Sequence, residues 1–187
     1  GLHFPTEYEG SGYGCLENVL VVEEFCRRDS GIGAALMLAD FASENVLRFG
    51  SDEQKEKYLT PVAEGRAISG GAITEPDHGG DWSLGGEDPK CGPSVTGVLK
   101  GDEYIVNGTK MWVTNGVRAS LVMLMARTPD DRITCFLVEK EPGPTHGGIS
   151  VSKTIPKLGY KGLETVEMSY VDHRVPADRV LGGDEGI

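Results

Sequence analysis

The spacing of apolar residues changes once along the chain, from a helical period to a strand period. From Leu16 to Arg28, Leu16, Val19, Leu20, Val22 and Phe25 recur at roughly helical intervals with Glu17, Glu23, Glu24 and Arg27 between them, which predicts an amphipathic helix. A second run, Ile32 to Phe49, sets Ile32, Leu36, Ala39, Val46 and Leu47 on a broad apolar face and predicts a helix that stops at Gly50. Ser51-Asp52-Glu53-Gln54 then reads as a capping box, with the Ser51 hydroxyl accepting from the Gln54 N–H and the Gln54 side chain reaching back to the Ser51 N–H. The helix it opens is expected to end near Thr60-Pro61.

After Gly65 the helical period is lost, and runs of β-formers alternate with turn dipeptides. Asn107-Gly108 and Asn115-Gly116 bracket Thr109 to Thr114, which predicts a strand between two tight turns, the first of them following Tyr104-Ile105-Val106. Further strands fit Val95 to Leu99, Leu121 to Arg127, Thr134 to Glu139, Ile149 to Ile155 and Thr165 to Val171, and Gly85 to Pro93 reads as a long exposed loop. The expected fold class is α+β: a short all-α N-terminal portion, residues 1–65, followed by an antiparallel β-sandwich or barrel-like domain, residues 66–187. Glycine usage supports the division, because 27 of the 187 residues are glycine, about twice the ordinary share, yet Asn18 to Phe49 holds only Gly31 and Gly33.

Charge narrows the function. Eighteen Lys and Arg against 29 Asp and Glu give a net charge of −11 with no basic run, which argues against nucleic acid and against an anionic membrane surface. No apolar stretch approaches the about 20 residues that span a bilayer, so no membrane span is expected. Cys15, Cys26, Cys91 and Cys135 are scattered without a CxxC pair, and reduced thiols in a cytosol-like compartment are expected. His3, His78, His146 and His173 have no spacing that puts two ligands on one element, so no metal site is expected. No serine or cysteine lies in a nucleophile motif.

Two segments carry candidate chemistry. Thr74-Glu75-Pro76-Asp77-His78-Gly79-Gly80-Asp81 fits an anion loop whose side-chain-free residues let the backbone approach a diphosphate, or a plain glycine turn between strands, the reading its spacing alone prefers. Glu75 and Asp81 are read there as loop-orienting carboxylates and not as bases. In Met111-Trp112-Val113-Thr114-Asn115-Gly116 a strand would put Trp112 and Thr114 on one face, suited to a flat heteroaromatic ligand, or Trp112 would simply fill the sandwich core.

Taken together, the segments resemble the acyl-CoA dehydrogenase family along almost the whole chain. Phe4-Pro5-Thr6-Glu7-Tyr8-Glu9-Gly10 with Val22-Glu23-Glu24, and Phe49-Gly50-Ser51-Asp52-Glu53-Gln54-Lys55-Glu56-Lys57-Tyr58-Leu59, are similar to its helical front. Ala72-Ile73-Thr74-Glu75-Pro76 through Gly79-Gly80-Asp81 is similar to its flavin loop, and Gly101 to Gly116, with Lys110-Met111-Trp112-Val113-Thr114, to its most characteristic stretch. Lys157-Leu158-Gly159-Tyr160-Lys161-Gly162 and Val175-Pro176-Ala177-Asp178-Arg179-Val180-Leu181-Gly182 follow in order. The resemblance implies FAD as cofactor, an acyl-CoA thioester as substrate and αβ-dehydrogenation as reaction. It implies that Ile73, Thr74, Gly79, Gly80, Trp112, Val113 and Thr114 contact the cofactor and that Gly80 and Asp81 contact the substrate. It further implies electron-transferring flavoprotein as partner, a homo-oligomer (a tetramer at full length), and a cytoplasmic location, or the mitochondrial matrix in a eukaryote.

Three departures qualify that picture. Gly80 stands where the family usually has Ser, removing a hydroxyl expected to touch cofactor or substrate. Glu87-Asp88-Pro89-Lys90-Cys91 lengthens the interval before Gly101. The sequence stops at Ile187, where the family pattern enters a C-terminal helical domain carrying the catalytic glutamate, so no catalytic base is assigned here, and residues before Gly1 are expected too. The rivals are an acyl-CoA oxidase or flavin monooxygenase on the same scaffold, and a non-catalytic module or split subunit that binds a CoA ester or a partner.

Overall fold

The computed structural model describes residues 1–81 and 91–183. Four helices come first: α1 (Cys15–Arg28), α2 (Ser30–Leu38), α3 (Phe41–Phe49) and α4 (Asp52–Ala63). The single helix expected over Ile32 to Phe49 is two, α2 and α3, broken at Ala39-Asp40. The break is held by β1, whose Ser69 donates from its N–H to Ala39 O (2.9 Å) while its hydroxyl accepts from the Ala42 N–H (3.1 Å). Tertiary hydrogen bonds thus replace two intrahelical ones, which the apolar period cannot reveal. The Ser51 capping box forms as expected, with Gln54 N–H to Ser51 Oγ and Ser51 N–H to Gln54 Oε1 both at 3.2 Å. The helix outlasts its expected end, because Pro61 lies within α4 and the carbonyls of Pro61 and Val62 are taken up by Arg66, Ala67 and Gly65.

Eight strands follow among the described residues: β1 (Ser69–Ala72), β2 (Thr96–Lys100), β3 (Glu103–Thr114), β4 (Leu121–Thr128), β5 (Arg132–Glu139), β6 (Thr145–His146), β7 (Ile149–Val151) and β8 (Thr165–Pro176). They form one curled sheet in the order β1-β4-β2-β3-β8-β7-β6, with β5 on the other edge of β4. The fold is α+β with a barrel-like sheet, but the sheet is mixed and not wholly antiparallel. Ser69 to Ala72 of β1 run parallel to Leu121 to Leu124 of β4, and Thr96 of β2 bridges Arg127 in parallel. Parallel neighbours need a long crossover, and the excursion through the β2–β3 hairpin supplies it.

The expected turn at Asn107-Gly108 is absent, and β3 runs straight through. Its hairpin to β2 closes at Gly101-Asp102, between the paired Lys100 and Glu103, with Gly101 at φ +70°. Asn107 instead braces a bulge in β8: its side-chain Nδ2 donates to Asp172 Oδ1 (3.1 Å) and its Oδ1 accepts from the Asp172 N–H (2.9 Å). Gly108, at φ +131° with Val95 where a Cβ would sit, carries the matching irregularity in β3. Of the expected strand Ile149 to Ile155 only β7 pairs regularly, whereas the strand begun at Thr165 continues past Val171 to Pro176. Of the expected loop Gly85 to Pro93, residues 85–90 lie outside the described residues.

The continuous apolar run Leu121 to Ala126 is explained by burial on both faces of β4. Val122, Leu124 and Ala126 join Val106, Val113, Phe136, Val166 and Met168 inside the curl of the sheet. Leu121 and Met123 join Cys135 and Leu137 against Phe4, Ala42, Val46 and Leu59, which seats α3 and α4 on the back of β4 and β5. By contrast α1 buries no residue, and Leu16, Val19, Leu20 and Phe25 stay exposed.

Candidate functional site

One edge of β4 is shared by two strands, β1 at Leu121 to Leu124 and β2 at Arg127. Between them the chain leaves the sheet after Ala72 and crosses to β3, where the Met111 N–H donates to Thr74 O (2.7 Å). At that crossing β3 is kinked. Lys110 pairs with Met168 but Val113 already pairs with Val166, so β3 carries one extra residue, and Trp112 takes φ +62°. A bulky residue in the left-handed region carries strain of about 1–3 kcal/mol, which persists where the surroundings over-determine it. Here the kink turns Trp112 out, half-exposed at 51%, while its neighbour Val113 is fully buried in the sheet core.

Around the kink opens a cleft of about 170 Å³ lined by Leu38, Phe41, Gly71, Ile73, Thr74, Met111, Trp112 and Thr114. The structure therefore brings together four of the residues singled out from sequence, Ile73, Thr74, Trp112 and Thr114. Neither the Thr74 nor the Thr114 hydroxyl has a hydrogen-bond partner among the described residues. Val113 is not among the residues that line the cleft and lies instead in the sheet core. Leu38, Phe41 and Met111 join them without a signal in the sequence: the first two arrive from the α2–α3 break, whose position depends on contacts remote in sequence. Asn115, also at φ +62°, fixes that wall by donating from Nδ2 to Leu38 O (3.2 Å) and Ser69 O (3.3 Å). Gly71 is required, since a Cβ there would meet the Phe41 ring at 2.4 Å.

Glu75 and Asp81 orient the loop, as the sequence suggests. The buried Glu75 carboxylate accepts from Ser94 N–H (2.7 Å), the Ser94 hydroxyl and Val95 N–H (3.0 Å), and pairs with the fully buried Lys110 ammonium at 2.7 Å. Burial alone would raise the Glu75 pKa, but the hydrogen bonds from Lys110 and Ser94 leave it lowered; Lys110 is itself lowered by burial, against the pull of Glu75. Asp81 accepts from His78 Nδ1 (3.0 Å), Gly92 N–H (3.1 Å) and Gly79 N–H (2.7 Å). Those bonds, the one from His78 first, hold its pKa at about 2. Gly79 and Gly80 follow the turn, and neither has a positive φ. A Cβ at Gly80 would meet nothing within 4 Å and one at Gly79 only a Thr74 methyl at 3.9 Å. Among the described residues, side-chain packing gives no reason for glycine at either position.

A larger cavity, about 500 Å³, lies between α4 and the β5 and β8 strands. Most of its charges are already matched within the chain. Glu139 receives the Tyr58 hydroxyl (2.6 Å), Lys57 (2.5 Å) and Arg179 (3.0 Å), Arg174 pairs with Glu103 (2.7 Å), and Lys140 donates to the Val117 and Ala119 carbonyls. The smaller cleft, with strain, an exposed indole and two idle hydroxyls, is the stronger candidate. No group of metal-ligating side chains occurs among the described residues, and no described helix is long and apolar enough to cross a membrane.

Comparison with known proteins finds one family along most of the chain. Residues 1–66 match the family described as "Acyl-CoA dehydrogenase, N-terminal domain", and residues 70–173 the one described as "Acyl-CoA dehydrogenase, middle domain". The mitochondrial isovaleryl-CoA dehydrogenase of Pongo abelii is 36% identical, over 97% of this chain and 42% of its own length. The solved butyryl-CoA dehydrogenase of Megasphaera elsdenii is similar with a TM-score of 0.85 at 31% identity, over 100% of this chain and 48% of that one. An acyl-CoA dehydrogenase of Bacillus anthracis, solved with FAD, gives 0.84 at 31%, over 97% and 30%. The chain spans less than half the length of these relatives.

Proposed function

The chain belongs to the acyl-CoA dehydrogenase family, and from that premise we propose that it holds FAD on the cleft at Thr74, Trp112 and Thr114 and forms the flavin-contacting part of an enzyme converting an acyl-CoA thioester to the trans-2-enoyl-CoA. The observation that carries the reading is a pair of idle hydroxyls beside an indole held outward by a strained backbone. Such a donor set suits a flat ring with heteroatoms along its edge. When bound, FAD supplies the acceptor for the hydride leaving the acyl β-carbon.

In this reading Thr74 and the main chain at Ile73 bond the edge of the ring, Thr114 donates near N5, and Trp112 covers one face, with Val113 contributing main chain alone. Gly79 and Gly80 let the diphosphate approach. Because the Gly79 N–H is turned onto Asp81, Gly79 contributes closeness and not a donor. Gly80 and Asp81 stand on the substrate side, Asp81 acting through the turn it ties. No carboxylate is among the described residues that line the cleft, so the base that takes the α-proton is assigned to no residue of this chain. The same reading takes residues 1–65 and 66–187 as two units, electron-transferring flavoprotein as acceptor, a homo-oligomer as the assembly, and the cytoplasm, or a mitochondrial matrix, as the compartment.

The test is anaerobic: the protein as its source makes it, with its flavin oxidised, is mixed with short, branched and long acyl-CoA esters while flavin absorbance is followed. Bleaching by at least one ester, with enoyl-CoA formed, is expected. A flavin left oxidised by every ester would overturn the assignment.

A further inference from the structure

Lys110 sits two residues before Trp112, and its ammonium spans the strap that crosses to β3, donating to Ile73 O (2.9 Å) and to Glu75 Oε1 (2.7 Å). Glu75 in turn gathers Ser94 and Val95, where the chain re-enters the sheet. One buried pair therefore ties together the end of β1, the start of β2 and the kinked part of β3. Buried ion pairs are poor sources of net stability, since desolvating two charges offsets their attraction, and replacing both by apolar groups is often neutral or better. What this pair fixes is a position. Thr74 lies between the two residues that Lys110 grips, and Thr114 lies on the same strand as Lys110, just past the kink.

We propose that the Glu75–Lys110 pair is a positioning device that sets the width of the cleft, holding Thr74 at the separation from Thr114 at which both hydroxyls engage one flavin ring. The inference rests on the FAD reading above. Neither residue lines the cleft, so both act through Ile73, Thr74 and the kink.

The informative variant is Glu75→Gln with Lys110→Met in the full-length protein. It removes both charges, keeps one acceptor oxygen for Ser94 while its amide nitrogen faces the Val95 N–H, and nearly conserves volume. A merely structural pair would leave flavin properties untouched once the variant folds. The positioning role instead predicts a near-native melting temperature together with FAD affinity weakened about tenfold or more, a displaced visible flavin band, and a smaller spectral effect of Thr114→Val in this background than in the wild type. A folded double variant with wild-type affinity and spectrum would overturn the proposal. Should it not fold, Lys110→Gln, whose amide still donates, is read in the same way and should show an intermediate loss, and wild-type flavin properties there overturn the proposal equally. If neither folds, the pair is a determinant of the fold and the positioning role is rejected. A wild-type protein that retains no FAD strikes the flavin reading itself, a result distinct from unchanged flavin in the variants.

Discussion

Gly80 offers the sharpest comparison at the scale of a single residue. Its backbone is not in the left-handed region and a Cβ would meet nothing within 4 Å, so a serine can be accommodated there without strain. Gly80→Ser is therefore expected to leave the melting temperature within a degree or two and to tighten FAD binding by about threefold to tenfold, the worth of one hydrogen bond, as read by equilibrium titration. Unchanged affinity would mean that position 80 does not face the cofactor. Thr74, Trp112 and Thr114 are singled out by the resemblance and not by residue type alone, and the structure gathers them at one cleft. Their geometry was not legible, because the sequence suggests a regular strand, whereas Trp112 faces the cleft through an extra residue and a positive φ. Lys110 was illegible as a buried residue: nothing in Thr109-Lys110-Met111 says that a carboxylate 35 positions earlier will meet it.

At the scale of elements, the capping box is legible in the sequence, whereas breaks and pairings made by distant residues are not. The Ser51 capping box is wholly local, and it forms. Ser51→Ala is expected to lower stability by about 1 kcal/mol in chemical denaturation, with the loss concentrated in hydrogen exchange of the first turn of α4. A larger loss would point to Gln54, which the box also orients toward Asp178 O and Val180 O. The α2–α3 break escaped the sequence because it is made by Ser69 and Asn115. The parallel pairing of β1 with β4 escaped for a similar reason: four residues, Ser69-Gly70-Gly71-Ala72, carry no mark of strand direction. Asn107-Gly108 misled because a dipeptide suited to a turn serves equally to brace and relieve a bulge.

Across the whole molecule, the carboxylates that tie elements together share one electrostatic sign. Glu75, Glu139 and Glu44 are lowered from their ordinary values, despite burial that alone would raise them, by hydrogen bonds to Lys110, Lys57 and Arg48 respectively, and Asp81 lies at about 2. Each binds its proton less readily folded than unfolded. Their stabilisation is thus fully present above the ordinary carboxylate range near pH 4 and is lost as pH falls through the lowered folded values. Buried His173, whose pKa burial lowers, costs stability as pH falls below its ordinary value near 6.5, and the carboxylates add a steeper fall of the melting temperature below about pH 5, less steep in Glu75→Gln; a flat profile to pH 3 would contradict these contacts. Overall, helices α3 and α4 seat the sheet, the sheet's interrupted edge frees the strap, and the strap meets the kink. Binding of FAD by these residues is tested most directly by the visible absorption spectrum of the full-length protein carrying Thr114→Val, which is roughly isosteric and lacks only the hydroxyl. Wild-type protein should retain FAD, and the variant should show a displaced flavin band and slower reduction by an acyl-CoA that bleaches the wild type. Identical spectra and reduction rates would contradict the placement of Thr114 at the flavin.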